Sequence, residues 1–232
     1  MQIVLATLLL FVSKVLFVAA ALLPIMNPPG MVPVFLAQTA RNTPEQRVYL
    51  SRRIAVFAFL LLLGSMYIGG FVLEIFGVSL PVVQISGGML ITLAAWRMLN
   101  DEPAEASPAS GQLGEHISRD ALKQKAFYPL AFPLTVGPGS VSVAITLGAS
   151  FAHTGEGWMR YVLAPLAAMV AVALVSVFVY LCYRHGERLL ALLGQTGAVV
   201  FMRLTAFILL CLGVQIMWDG ARELLLPLLA AR

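Results

Sequence analysis

Two short segments of the chain carry residues from which a site could be built. Pro24-Ile25-Met26-Asn27-Pro28-Pro29-Gly30 and Pro133-Leu134-Thr135-Val136-Gly137-Pro138-Gly139 share the frame Pro-x4-Pro-Gly at an offset of 109 residues, and Val32 and Val34 then match Val141 and Val143. Proline has no backbone N–H and its ring clashes with the preceding turn, so nearby carbonyls lose their partners. In hydrocarbon such backbone survives only when buried in protein or lining a wet cavity. Freed carbonyls and half-helix ends offer dipoles that coordinate an ion or a polar solute. Asn27 stands beside one break, and Thr135, Ser140 and Ser142 beside the other. The candidate binding residues are therefore Asn27, Pro29, Gly30, Thr135, Gly137, Pro138, Gly139 and Ser140. Gln84 and Arg203, polar groups inside apolar stretches, join them. Gln84 either bonds to a neighbouring helix or contacts cargo. Arg203 either snorkels to an interface or faces a central cavity.

Other chemistries lack their residues. Three scattered histidines and the absence of Cys-x-x-Cys or His-x3-His spacing give no expected metal site. Cys182 and Cys211 lie in apolar stretches, so no disulfide framework is expected. No interfacial cluster of His, Asp, Glu or Cys points to an enzyme, and no Walker A segment points to ATP hydrolysis. No cofactor is expected, and no basic run suggests a nucleic-acid partner.

The elements that must position these breaks follow from composition. The chain has 232 residues, 60% hydrophobic and 11% charged, with a mean hydropathy of +0.90. A soluble domain carries about 25% charged residues, so this one cannot cover a water-soluble globule. A membrane helix needs about 20 apolar residues. The runs that meet this are Val15–Ala40, Ile54–Leu73, Ile75–Trp96, Ala126–Ala152, Tyr161–Tyr183 and Ala198–Trp218. The expected fold is all-α and polytopic, with six transmembrane helices. Met1–Ser13 is apolar but short, and either extends the first helix or lies along the interface.

The few charges then place the helices. Arg41, Arg47, Arg52 and Arg53 follow the first span, Arg97, Arg119, Lys123 and Lys125 the third, and Arg184 and Arg188 the fifth. The opposite side has only Arg160, Arg222 and Arg232. The positive-inside rule puts the richer side in the cytoplasm and both termini in the periplasm. The net charge of +4 is assigned to this topology rather than to an acidic partner. Tyr128, Trp158, Tyr161 and Trp218 fit interfacial belts, with His153 in a short outer loop and Asp219 at a helix end.

Three helices per half make the second half enter from the other side. The organisation read here is residues 1–99 as one three-helix repeat, 100–125 as a cytoplasmic linker, and 126–232 as an inverted repeat. The first helix of each repeat is broken at Pro-Gly. Gly77-x3-Pro81-Val82-Val83 faces Gly194-x3-Ala198-Val199-Val200 at an offset of 117. Asn27 lies 13 residues after Lys14, and Pro138 lies 13 after Lys125. That is about 20 Å of helix. If each lysine marks an interface, both breaks fall near the midplane.

Asn27-Pro28-Pro29-Gly30-Met31-Val32-Pro33-Val34-Phe35 resembles the Asp/Asn-Pro-x-Gly-x-x-Pro-x-Phe segment of the MarC family of bacterial inner-membrane proteins. Pro129-Leu-Ala-Phe-Pro133-Leu-x-x-Gly137-Pro138-Gly139 is similar to its second signature. Gly77 to Pro81, Gly87-Gly88, Arg203 and Asp219-Gly220 match in order. Gln84 departs from the pattern, standing where the family commonly has arginine. The resemblance implies a six-helix protein of the inner membrane and a transporter. A distant likeness to small amino-acid exporters implies efflux of a small metabolite.

The expected function is a secondary transporter that exports a small polar metabolite by alternating access. The alternative is a non-transporting integral membrane subunit or scaffold. The partners expected are a small-molecule substrate, membrane lipid and, in a homo-oligomer, further copies of the chain.

Overall fold

The structure is a computed structural model that describes residues 2–100, 119–153 and 162–230. Every regular element among them is helical: α1 (Gln2–Met26), α2 (Pro28–Gln38), α3 (Pro44–Ile75), α4 (Leu80–Asn100), α5 (Arg119–Lys125), a π-helical segment (Ala126–Thr135), α6 (Pro138–His153), α7 (Ala164–Arg184) and α8 (Gly186–Ala230).

Local sequence sets the boundaries. Thr43 caps α3 through a reciprocal pair of bonds with Gln46 (Gln46 N to Thr43 Oγ1, 3.3 Å; Thr43 N to Gln46 Oε1, 3.1 Å), with Pro44 at the first helical position. After α3 the chain turns through Gly77 at φ 65°, with the Val78 N–H bonded to the Leu73 carbonyl at 2.9 Å. Glycine reaches this left-handed backbone without a Cβ penalty, which is why it ends helices. Gly194, at φ 64° and ψ 173°, interrupts α8 in the same way, so its membrane portion starts beyond it, as the apolar run from Ala198 predicts. Tyr128 and Phe132 are extended because each precedes a proline, which makes the segment before α6 irregular along its length.

Five helices are long and apolar enough to cross a membrane: Leu5–Met26, Pro44–Ile75, Leu80–Asn100, Ala164–Arg184 and Val199–Leu226. The bent pair Arg119–Thr135 and Pro138–Phe151, turning 71°, makes a sixth. The first span differs from expectation in extent. Residues 2–13 run into Lys14 and Val15 without a break and belong to the same helix, and α1 alone is long enough to cross before α2 begins. The expected linker is described only at its ends: Asn100 closes α4 and Arg119–Lys125 form α5, while 101–118 lie outside the described residues, as do Trp158, Arg160, Tyr161 and Arg232.

In lipid the hydrophobic effect does not drive helices together, and close approach through small residues does much of the work. The most extensive seam joins α4 and α8. A Cβ on Gly88 would collide with the Gly213 carbonyl and with Met217, one on Gly213 with Thr92 and the Gly88 carbonyl, and one on Gly220 with the Pro81 carbonyl. Pro81 lies beside Gly220 and Thr92 beside Gly213, so the two helices run antiparallel. Gly87 presses on Ser142 of α6, Gly148 of α6 on the Met66 carbonyl of α3, and Gly69 of α3 on Ile145. The buried core gathers Val18 and Leu22 of α1, Phe35 of α2, Leu62 of α3, Leu130, and Ala167, Ala171 and Val175 of α7. Large apolar side chains such as Leu16, Phe71 and Phe207 point outward instead.

Candidate functional site

At the first break α1 ends and α2 starts around a single residue. Asn27 adopts φ 45° and ψ 56°, the one non-glycine left-handed residue among those described. Asparagine tolerates this region better than most side chains. Its N–H completes α1 by donating to Leu23 O at 2.9 Å, and its carbonyl opens α2 by accepting from Met31 N at 3.1 Å. Its Oδ1 accepts the Gly30 N–H at 3.1 Å. A helix start normally exposes several unpaired N–H groups. Here Pro28 and Pro29 have none, and Gly30 and Met31 are used. Gly30 must be glycine because a Cβ there would overlap the Asn27 side chain. The donor left over is Asn27 Nδ2, which is buried and has no partner. An unpaired buried polar group costs about 1–3 kcal/mol, so it marks a place where a ligand acceptor is favourable. Beside Pro29, packing against Phe201 and Met202 leaves a cavity of about 10 Å³.

The second break has the same position in the frame but different groups. Val136 closes the π-helical segment by donating to Ala131 O at 2.8 Å, and Val141 N donates to Gly137 O at 3.1 Å. Pro138 is the first residue of α6, and Gly139 and Ser140, both buried, follow at its open N-terminal end. Gly139 packs on Ile91 of α4, and the Ser142 hydroxyl donates to Val83 O at 2.8 Å. Thr135 is 1% exposed. Its hydroxyl donates to Leu130 O at 2.7 Å and lies 2.9 Å from the Tyr183 hydroxyl.

Tyr183 connects α2 to the second break. Its ring stacks on Phe35 of α2 at 4.6 Å between centroids and 4° between planes, while its hydroxyl meets Thr135. The sequence offered Tyr183 only as the end of an apolar run. A phenol ahead of the basic Arg184 was the available signal, and it reads equally well as an interfacial aromatic.

The other candidates make no hydrogen bond to the described residues of either break. Gln84 lies in α4 against Gly220 of α8, and its Oε1 is buried without a partner, so it makes no interhelical hydrogen bond. Arg203 is exposed on α8, while its neighbours Phe201 and Met202 pack against α2. Asp219 accepts from Gln215 Nε2 at 2.9 Å within α8. Among the described residues no three or more His, Cys, Asp or Glu side chains converge on a metal position.

Helices long enough to cross a bilayer, irregular backbone buried between them, and seams of small residues together define a polytopic α-helical membrane protein. Residues 12–225 match the model of the MarC family integral membrane protein. The proteins named UPF0056 inner membrane protein MarC of Salmonella paratyphi B and Salmonella typhimurium are each 30% identical to it over 207 residues, covering 88% of this chain and 92% of theirs. A UPF0056 membrane protein of Archaeoglobus fulgidus is 33% identical over 205 residues, covering 88% of this chain and 90% of its own. No solved structure matches the chain. The chain belongs to the MarC family.

Proposed function

We propose that this protein is a secondary transporter of the inner membrane that exports a small polar solute, with both termini in the periplasm. Cargo binds between the Asn27–Gly30 and Thr135–Ser140 breaks, and two inverted three-helix halves rock about it. The single observation that carries this reading is the unpartnered Nδ2 of Asn27, buried at a helix break whose other donors are absent or used. The inner membrane is taken from the names of the Salmonella relatives.

Support for the inverted pair comes from contacts that exchange between halves. Lys14 lies 4.9 Å from the Phe151 ring centroid, and Lys125 bonds to Asn42 at 2.9 Å. Adding 111 to Lys14 gives Lys125, and adding 109 to Asn42 gives Phe151. Gly69 packs on Ile145, and Gly186 on Leu36. Offsets of 117 and 109 relate these as well. The left-handed glycines Gly77 and Gly194 are 117 apart, and α4 packs antiparallel on its counterpart α8, as inverted partners must.

The test is flux in proteoliposomes or export from cells for Asn27→Gly and Gly139→Leu, each confirmed as inserted and folded. Asn27→Gly keeps the left-handed turn and removes the side-chain amide, both the free Nδ2 and the Oδ1 that accepts from Gly30. The expected result is loss of most flux in both. Wild-type flux in both variants would remove the breaks from the mechanism, and no flux from the wild-type protein itself would favour a non-transporting subunit.

A further inference from the structure

Away from both breaks, an open groove of about 450 Å³ lies between α3 and α7. Its floor is apolar, with Ala55, Phe59 and Ala173, and its rims carry the exposed Val56 and Val177. Arg52 of α3 and Tyr180 of α7 close one end. Arg53 and Arg184 are held by tyrosine hydroxyls, Arg53 Nε to Tyr49 at 3.1 Å and Arg184 Nη1 to Tyr180 at 2.6 Å. Arg52 is exposed, and no hydrogen bond or ion pair joins it to another described residue. An exposed guanidinium at the membrane surface is attracted to anionic lipid head groups.

A second polar group lies inside the groove. Ser176 is 5% exposed, and its hydroxyl is buried without a partner. Ser65, Ser86, Thr92 and Thr205 instead donate to the carbonyl one turn earlier in their own helices. Ser176 is four residues before Tyr180, about 6 Å deeper along α7. A glycerophospholipid places its ester carbonyls one such step below its phosphate, with the acyl chain continuing into hydrocarbon.

We propose that this groove is a binding site for an anionic glycerophospholipid from the leaflet at the start of α3. Arg52 holds the phosphate, Ser176 donates to an ester carbonyl, and an acyl chain lies on Phe59 and Ala173. The neighbouring Arg53 and Arg184 select a net negative head group, in line with the preference of basic pockets between membrane helices. A site on the outer face of α3 and α7 is independent of cargo binding at the breaks, and its test reads no flux.

The full-length protein, purified in detergent and delipidated, is titrated with phosphatidylglycerol or phosphatidylcholine and read by native mass spectrometry. Wild-type protein retains phosphatidylglycerol in preference, and Arg52→Gln weakens that retention about five-fold. Val56→Trp fills the groove and removes the adduct while Arg52 remains, and both variants are first shown to be monodisperse. Equal retention of the two lipids, unchanged by either variant, overturns the proposal. So does efficient cross-linking of Val56→Cys into dimers in the delipidated protein, which would make the face an interface between two copies.

Discussion

Lys125 donates a 2.9 Å hydrogen bond to the side-chain oxygen of Asn42, so the entry to the second broken segment is held by the turn that follows α2. Asn42 in turn donates to Gln46 Oε1 at 3.1 Å, and Gln46 also caps α3. Asn42→Ala removes the acceptor of a charged donor and a bond to the capping Gln46 together. The expected cost is about 1–3 kcal/mol, read as a lower melting temperature in detergent, with Lys125→Met giving a similar loss. The double variant is expected to cost less than the sum of the two. Additive losses would show that the bond does not couple the halves.

Arg47 carries more than its ion pair. It pairs with Glu187 at the start of α8, and it also donates to Thr39 O at 3.0 Å and Ala40 O at 3.3 Å, near the end of α2. Glu187 is largely exposed, so Glu187→Gln is expected to cost under about 1 kcal/mol. Arg47→Ala is expected to cost at least about twice as much, because it also unbonds the two carbonyls. Equal thermal shifts in the two variants would refute this division.

The glycines divide into two groups that a melting experiment separates. Gly64 and Gly70 have open space where a Cβ would go, so Gly64→Ala and Gly70→Ala in α3 are expected to be neutral or to stabilise by up to about 1 kcal/mol. Gly88→Val and Gly213→Val place branched carbon against backbone across the α4–α8 seam, and a monodisperse protein is not expected from either. Recovery of folded Gly213→Val at wild-type melting temperature would contradict the packing described.

Tyr183 and Thr135 are expected to couple. Tyr183→Phe keeps the stack on Phe35 and removes one hydroxyl, while Thr135→Val removes the other together with the bond to Leu130 O. A double-mutant cycle on thermal or denaturant stability is expected to give an interaction of about 0.5–1.5 kcal/mol. A value of zero would leave the 2.9 Å contact without energetic content.

Orientation has a direct chemical test. In a chain with Cys182 and Cys211 replaced by alanine, Val78→Cys is expected to react with a membrane-impermeant maleimide in intact cells, and Glu187→Cys only after permeabilisation. The reverse pattern would invert the proposed topology.

The features legible in the sequence were those that backbone chemistry dictates. Proline and glycine report on φ and on missing donors, so both breaks were readable from residue type and spacing, whereas Gly77 and Gly194 were paired only as a repeat and the third span was read straight through Gly77. Gly87-Gly88 was readable as a place for close helix packing, but its partners, Ser142 for Gly87 and Gly213 for Gly88, were not. Pairwise contacts between distant helices were not readable. Nothing in the order of residues says that Tyr183 stacks on Phe35, or that Arg47 reaches the end of α2 rather than water. Gln84 and Arg203 show the limit in the other direction. Intramembrane polarity flagged both, but composition does not say which face of a helix turns inward: Gln84 packs against Gly220 with its Oε1 buried, and Arg203 is exposed.

The glycine seam between α4 and α8 constrains how the molecule moves. With carbonyls of one helix filling the space a side chain would need on the other, a slip of one residue along the seam drives a larger side chain into that backbone. Because α4 belongs to one half and α8 to the other, the seam fixes the register between the halves, and any rocking of one against the other must pivot about it.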